Sequence, residues 1–327
     1  MNNKLFKLLT LLLASVIITS CAKKEGANNT ESEYSESELP KVFFTSDISP
    51  AGLHAVYEAL GVTPTGNVAV KIHSGEPGNK NFLKPEFMAE LVKRVNGTFI
   101  ETNVAYASPR DNAVSHLKVA KEHGWTAVAP FVVLDGDGEI SFPVANGKHL
   151  AENLVGNRFG EFDFHIVISH FKGHAMGGFG GALKNLSIGY ASAAGKASIH
   201  SVGKSRTVPV TNWSVEQKAF LEAMAEAAKT ITDKIQGKSI YINVMNRMSI
   251  DCDCDGNASP PAMGDIGILI SLDPVALDQA CIDLVYKAHD GHKLIKRIES
   301  RSGLRTVEHA EELGIGSRKY ELINIDE

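Results

Sequence analysis

The chain has 327 residues, of which 43% are hydrophobic and 22% are charged, and its formal net charge is −5. This composition is typical of a globular protein and excludes collagen-like, coiled-coil and wholly disordered classes. Lysine and arginine form no cluster able to neutralise a phosphate backbone, so we expect no nucleic-acid partner. Four cysteines in a chain of this length exclude a disulfide scaffold.

The first twenty residues have the pattern of a secretory signal peptide. Two lysines precede Leu8–Ile18, an apolar run too short to span a bilayer, which takes about 20 helical residues. The segment ends in ITSC, which resembles the bacterial lipobox, so Cys21 would carry a lipid and become the first mature residue. A buried N-terminal helix is the alternative. We therefore expect residues 1–20 to be a lipoprotein signal peptide and the protein to be lipid-anchored to a membrane of the bacterial cell envelope, facing the periplasm or the surface.

Residues 21–40 are rich in Ser, Glu, Asn and Lys and contain almost no large apolar side chains. Such a segment cannot offset the entropy of ordering, so it is expected to be a flexible tether. The folded domain is then predicted to cover residues 41–327, with no convincing boundary inside it.

From Lys41 onward the chain alternates β-rich runs with helical patterns. Short runs of Val, Ile and Phe predict strands at residues 41–45, 67–72, 98–101, 127–133, 164–169, 239–244, 266–271 and 320–325. Apolar periodicity and capping residues predict helices at residues 50–60, 85–95, 111–123, 148–155, 214–235 and 274–288. Ser214 and Gln217 form the capping-box signature of the fifth helix. This order predicts an α/β fold with a mostly parallel sheet covered by helices.

The segment from Ser169 to Gly189 follows a predicted strand and combines closely spaced glycines with imidazole and ammonium groups. Such glycines let backbone N–H groups approach a ligand, although the spacing fits neither a phosphate loop nor a dinucleotide fingerprint. Packing and turn formation are the alternative roles. The candidate catalytic residues are His174, Lys184 and His200. The candidate cofactor-binding residues are Gly177, Gly178, Gly180, Gly181, Asn185, Lys71 and His73.

A second chemical feature is DCDCDG, residues 251–256. Its aspartates fit the opening of a calcium loop, but Ala262 stands where a bidentate Glu is required. The thiols could instead bind a soft or borderline metal together with a histidine, pair as a disulfide with each other or with Cys281, or lie in a loop whose aspartates only cap backbone groups. The candidate metal ligands are His170, His174, Cys252, Asp253 and Cys254. Arg110 could hold a substrate carboxylate or serve only as an ion-pair partner.

Four separated motifs resemble the prokaryotic family known as domain of unknown function 362, over roughly Val68 to Val285. They are VKIHSGE at residues 70–76, ETN at 101–103, SHFKGHAMGGFGGALKNLSIG at 169–189 and CDCDGNASPPAMGDIGILISLDPVALDQACIDLV at 252–285. The resemblance favours a site role for Cys252 and Asp253. Many relatives carry a two-cluster ferredoxin segment after the position of His200, but this chain has no cysteine between His200 and Cys252. We therefore expect no iron–sulfur cluster.

The stretch GFGGALKNLSIG, preceded by a histidine, is also similar to a segment of lactate racemase. In that enzyme family the matching lysine holds a nickel pincer cofactor, and nearby histidines are ligands or transfer protons. The resemblance implies that Lys184 faces a cofactor or substrate and that His174 and His200 are ligands or acid–base groups.

These features predict a metal- or cofactor-dependent enzyme that acts on a small anionic molecule, with a divalent metal as a candidate cofactor. The alternative is a non-catalytic envelope protein that uses the same loop to bind an anion or a metal. A ligand that binds stoichiometrically and is not converted would favour the non-catalytic binding protein over the enzyme.

We predict that Cys21→Ala moves the protein from the membrane to the soluble fraction, because one residue carries the lipid and the tether has no apolar surface of its own. Fractionation after a high-salt wash measures this. Ser20→Ala, which keeps the cysteine, is the matched control and should stay with the membrane. A Cys21→Ala protein that still sediments with membranes would refute the lipoprotein prediction.

Overall fold

The structure is a computed structural model, and it describes residues 39–326. The predicted signal peptide, Cys21 and all but the last two residues of the predicted tether lie outside the described residues. Those segments and the domain boundaries therefore stay predictions. No helix among the described residues is both long and apolar enough to cross a membrane.

Eight strands form one sheet, and four further strands form two antiparallel pairs. In the order of the described chain they are β1 (Lys41–Thr45), β2 (Val68–Lys71), β3 (Thr98–Glu101), β4 (Phe131–Val133), β5 (Glu139–Pro143), β6 (Glu152–Gly156), β7 (Phe164–His170), β8 (Lys172–His174), β9 (Gly178–Gly180), β10 (Ser239–Met245), β11 (Gly267–Ser271) and β12 (Glu321–Asn324). The sheet order is β12-β1-β11-β10-β7-β2-β3-β4, and only β11 runs antiparallel to its neighbours. The predicted α/β fold with a mostly parallel sheet is confirmed.

Helices cover both faces of this sheet. They are α1 (Pro50–Leu60), α2 (Pro85–Arg94), α3 (Ala113–Glu122), α4 (Trp125–Val128), α5 (Ala182–Ser187), α6 (Ala193–His200), α7 (Gln217–Lys234), α8 (Pro274–Lys287), α9 (His292–Ser300) and α10 (Leu304–Glu312). Successive side chains of a strand point to opposite faces. Accordingly Ile166 and Ile168 of β7 join the core formed with α1, α2 and α4, whereas Val167 joins the core formed with α5, α7, α8 and α10.

The strand predicted at residues 127–133 is wrong in its first half. Residues 125–128 form α4 instead, and only Phe131–Val133 is a strand. The turn buries Trp125 against Phe99 and lets its indole N–H donate to the carbonyl of Ser74. Pro130, which has no N–H to donate, then separates the helix from the strand.

The helix predicted at residues 148–155 is also wrong. The backbone N–H groups of Lys148, His149 and Leu150 donate to the buried carboxylate of Glu226 on α7, but no helix follows, because the next residues form their backbone hydrogen bonds with a neighbouring strand. The chain then continues as β6, which pairs antiparallel with β5.

The helix predicted from Ser214 begins later, at Gln217. Glu216 is its N-cap and accepts from the N–H groups of Lys218 and Ala219, so the predicted capping box does not form. The side chain of Gln217 instead donates to the carbonyls of Met176 and Arg301. This contact ties α7 to the glycine-rich segment.

The carboxyl ends of β2, β3, β7 and β10 meet at one edge of the sheet, because these strands are parallel neighbours or near neighbours. The segments that follow them contain most of the polar residues singled out in the sequence. Open α/β sheets form their ligand crevice at this edge.

Candidate active site

A cavity of about 280 Å³ opens at the carboxyl edge of the sheet. Its walls come from the segments after β2, β3 and β7, from the β8–β9 hairpin and from α5 and α6. Eleven of the residues proposed from the sequence line it: Lys71, His73, Arg110, His170, His174, Gly180, Gly181, Lys184, Asn185, His200 and Cys254. Gly177, Gly178, Cys252 and Asp253 do not line it. The structure thus brings most of the candidates together, and their individual roles stay predictions.

Two of the lysines in the cavity wall donate hydrogen bonds deep in the protein. Lys71 is 1% exposed, and its Nζ donates to the carbonyl of Ile72 at 2.7 Å and to Oδ1 of Asn185 at 2.9 Å. Lys196 donates to the carbonyl of Ala191 at 2.8 Å and to the hydroxyl of Thr102. Burial disfavours the ammonium form and lowers the pKa of Lys71 to about 7 and that of Lys196 to about 8.

Lys172 and Lys184 lie on either side of Gly180. A Cβ at Gly180 would stand 3.3 Å from Nζ of Lys172 and 3.4 Å from Cδ of Lys184, so glycine leaves the space between the two lysines open. Lys172 is balanced by Asp253 at 3.6 Å, which raises the pKa of this lysine although burial opposes the charge. Within residues 39–326, nothing accepts a hydrogen bond from the ammonium of Lys184. This ammonium is therefore available to a ligand in the cavity.

His200 presents one ring nitrogen to the cavity. Its Nδ1 donates to the carbonyl of Lys196 at 2.7 Å, so in the neutral ring Nε2 carries the lone pair. The ring stacks on Phe220 and meets the edge of Trp213, which also lines the cavity. Burial lowers the pKa of His200 to about 3, so the ring is a neutral acceptor at physiological pH.

His174 has the opposite tautomer. Its Nδ1 accepts from the backbone N–H groups of Met176 at 3.2 Å and Gly177 at 2.8 Å, which places the proton of the neutral ring on Nε2. Burial, with the charge of Lys184 acting in the same direction, lowers the pKa of His174 to about 4. Gly177 thus fixes the orientation of His174, and it does so without lining the cavity.

Two thiols lie beside His174. Three potential metal-ligating atoms, a ring nitrogen of His174 and the sulfurs of Cys252 and Cys254, lie within 4.8 Å of one another. The N–H of Cys254 donates to Sγ of Cys252 at 3.3 Å; Cys254 lines the cavity, and Cys252 lies behind it. A hydrogen bond from the Cys254 thiol lowers the pKa of Cys252 well below its usual value, and Lys184 and Lys172 overcome the effect of burial. Cys252, Cys254 and Cys281 are all free thiols.

His170 and Asp253 form a separate buried pair. Nδ1 of His170 lies 3.0 Å from Oδ2 of Asp253, and its Nε2 lies 2.5 Å from the carbonyl of Asn246, so both ring nitrogens are engaged. Burial opposes the charge of Asp253, but His170 and Lys172 hold the pKa of this carboxyl well below its usual value. Of the five metal ligands proposed from the sequence, the structure therefore groups three and pairs the other two with each other.

Arg110 lines the cavity and joins its loops as an ion-pair partner. Its guanidinium, 1% exposed, donates to Glu101 at 2.7 Å and to Glu76 at 3.2 Å. Glu101 also meets Nε2 of His116 at 2.9 Å and accepts from the N–H of Ser74. Although burial alone would raise the pKa of Glu101, Arg110 and His116 hold it well below its usual value. The cluster thus joins the segments after β2 and β3.

Two of the candidate glycines have packing roles. A Cβ at Gly178 would stand 3.0 Å from Cα of Gly303 and 3.1 Å from the carbonyl of Ile298, and its φ of +80° favours glycine. Gly181 lines the cavity, but a Cβ there would stand 2.3 Å from a carboxylate oxygen of Asp278. The glycine-rich segment is therefore only in part a ligand cradle.

Sequence reasoning did not select Lys172, Lys196, Thr102 or Trp213 as site residues. Lys196 could have been found, because it lies four residues before His200 and this spacing places both on one face of a helix. Lys172 alternates with the chosen His170 and His174 along the segment after β7. Thr102 and Trp213 carry no such local signal.

Comparison with known proteins gives one family and several distant structures. The family described as Domain of unknown function (DUF362) matches residues 68–283. Lactate racemase apoprotein from Thermoanaerobacterium thermosaccharolyticum is similar with a TM-score of 0.42 and 14% identity, over 74% of this chain and 56% of that one. A structural-genomics target from Thermotoga maritima is similar with a TM-score of 0.39 and 14% identity, over 80% of this chain and 58% of that one. The chain thus spans less than two thirds of the length of either structure. No curated protein matches it.

We predict that Arg110→Met lowers the free energy of unfolding by about 3–5 kcal/mol, because it leaves the carboxylates of Glu101 and Glu76 buried without their cation. Urea denaturation measures the loss. Arg158→Met removes the partner of Glu161 in an exposed pair, whose side chains are 34% and 49% exposed, and should cost less than about 1 kcal/mol. Equal effects of the two substitutions would show that the buried pair is not the anchor described above.

Proposed function

This chain belongs to the family described as a domain of unknown function (DUF362), as its motifs predicted, and we propose that its cavity is the active site of an enzyme acting on a small anionic molecule. The observation that carries the proposal is the unpaired ammonium of Lys184 in the cavity wall. This ammonium lines the cavity together with the neutral acceptor His200 and the thiol of Cys254, and it donates to no other group among residues 39–326.

Charge and size support an anion as the ligand. Lys71, Lys172, Lys184 and Lys196 line the cavity, whereas the carboxylate of Glu101 in its wall is paired with Arg110. A carboxylate or phosphate oxygen is the natural partner of the free ammonium, because charge-assisted hydrogen bonds are the strongest that such a group makes. The volume of about 280 Å³ lies at the small end of ligand sites, which favours a small molecule over a polymer.

Lys71 in the wall is suited to move a proton, and His200 is suited to accept a hydrogen bond. The lowered pKa of Lys71, about 7, makes its amine and ammonium forms comparably populated near neutral pH. His200 offers Nε2 as a neutral acceptor, held in place by its Nδ1 hydrogen bond to Lys196. In the proposed reaction Lys184 holds the anionic group of the substrate, and the neutral amine of Lys71 takes a carbon-bound proton from the substrate and returns one from solvent. His200, packed against Phe220 and Trp213, accepts a hydrogen bond from the substrate.

The thiol pair fits a soft or borderline divalent ion. Cys252 and Cys254 would supply two thiolates, and the acidified Cys252 is predisposed to lose its proton. His174 would join only through Nε2 and only after releasing the proton there, because its Nδ1 already accepts from two backbone N–H groups. When bound, such an ion would act as a Lewis acid on a substrate oxygen in the cavity.

The test measures proton transfer directly. A panel of small carboxylates and phosphate esters is incubated in D₂O with the purified protein, with and without added Zn²⁺, and proton NMR follows the loss of carbon-bound proton signals. We predict that Lys184→Met slows exchange by about 100-fold or more, because it removes the group that holds the anion. Lys204→Met, at an exposed lysine, is the matched control and should exchange like the unchanged protein.

The pH dependence supplies a second readout. Only the neutral amine of Lys71 accepts a proton, so exchange should rise as the pH passes about 7 and should lose this step in Lys71→Met. Saturable binding without exchange or turnover of any compound would favour the non-catalytic binder. Equal exchange by Lys184→Met and the unchanged protein would contradict the proposal.

A further inference from the structure

We propose that Asp278, a buried residue on α8 outside the cavity, is a positioning residue that fixes α5 and, through it, the two cations Lys184 and Lys71. The inference rests on the proposed function for its consequence in catalysis. Its geometric basis does not depend on that function.

The carboxylate of Asp278 is the acceptor at the start of α5. Its side chain is fully buried, and its Oδ1 accepts from the N–H of Ala182 at 2.8 Å while its Oδ2 accepts from the N–H of Leu183 at 2.9 Å. A third donor, Nδ2 of Asn243 on β10, lies 2.7 Å from Oδ1. Every one of these contacts joins α5 or the central sheet to α8.

Helix α5 has no capping side chain of its own. Gly181 stands at its N-cap position and offers no side-chain acceptor, and the helix is only six residues long. A helix start leaves backbone N–H groups without intrahelical partners. Asp278 supplies those partners from a distant part of the chain, and Gly181 makes room for it, because a Cβ at Gly181 would stand 2.3 Å from Oδ1.

The cavity cations depend on where α5 lies. Lys184 is its third residue, and Asn185 is its fourth. Asn185 accepts from Nζ of Lys71 at 2.9 Å, and its Nδ2 donates to the carbonyl of Ile168 and to the hydroxyl of Ser169, each at 3.1 Å. A displacement of the first turn of α5 would therefore move Lys184 and remove the acceptor of Lys71 together.

The charge of Asp278 suits this task. Burial raises its pKa to about 6, and the three donors oppose that rise, so the carboxylate form prevails at neutral pH. Negative charge at a helix N-terminus is favourable because it is attracted to the partial positive charge at that end of the helix. In Asp278→Asn, one of the two carboxylate oxygens is replaced by an NH₂ group. That group cannot accept a hydrogen bond from the N–H groups that the oxygen faced.

The experiment compares Asp278→Asn with Asp273→Asn. Asp273 caps α8 itself by accepting from the N–H groups of Val275 and Ala276, so it offers the same substitution on the same helix away from the cavity. Two quantities are measured on the full chain: the dissociation constant of inorganic phosphate by calorimetry, and the pKa of Lys71 from the pH dependence of its acetylation, followed by mass spectrometry.

We expect Asp278→Asn to weaken phosphate binding about tenfold or more, because Lys184 moves. We also expect it to lower the pKa of Lys71 by about half a pH unit or more, because its ammonium loses the Asn185 acceptor. Gly181→Ala, which pushes the start of α5 away from an intact carboxylate, should give the same two changes and covers the case in which Asp278→Asn does not fold.

A merely structural role for Asp278 would show a different pattern. Asp278→Asn and Asp273→Asn would then lower the free energy of unfolding but leave the pKa of Lys71 where it is in the unchanged protein, and this result would overturn the inference. An unchanged protein that binds no phosphate would count against the proposed anion site instead. The Lys71 measurement would still decide the positioning role.

Discussion

Four ammonium groups around one small cavity are the constraint on which the rest of the site depends. Burial disfavours the charges of Lys71, Lys172 and Lys196, and like charges repel one another at this range. The four lysines differ in how their charge is accommodated. Lys71 and Lys196 have lowered pKa values and donate to uncharged oxygens, and Lys172 is paired with Asp253. Lys184 has no hydrogen-bond acceptor among the described residues. An anion in the cavity would stabilise this arrangement, which is why we propose an anionic ligand for the site.

The polar residues around the cavity form two groups: those whose hydrogen bonds and charges are used within the protein, and those that remain available to a ligand. Arg110 is paired with the carboxylates of Glu76 and Glu101 and holds the loops in place, and His170 and Asp253 are hydrogen-bonded to each other. The residues with unused capacity are the ammonium of Lys184, Nε2 of His200 and the thiols beside His174. Chemistry at this edge of the sheet is therefore expected from the second group.

Local sequence pattern predicted much of the fold, because the strands are runs of Val, Ile and Phe and the site follows from parallel strands ending at one edge. It failed where distant residues decide the backbone. Pairing with β5 makes a strand of residues predicted to be helical after Lys148, and the burial of Trp125 interrupts a predicted strand. Within the glycine-rich segment, sequence could not separate Gly180, which leaves cavity space open, from Gly178 and Gly181, which admit Ile298 and Asp278.

The most direct test of the central claim is to locate an anion experimentally. Crystals of the protein soaked in bromide can be examined by anomalous diffraction, which identifies the ion by its scattering and needs no knowledge of the substrate. The account predicts a bromide in the cavity in direct contact with Nζ of Lys184, and its loss in Lys184→Met. Bromide bound only at exposed lysines such as Lys204, with none beside Lys184, would contradict it.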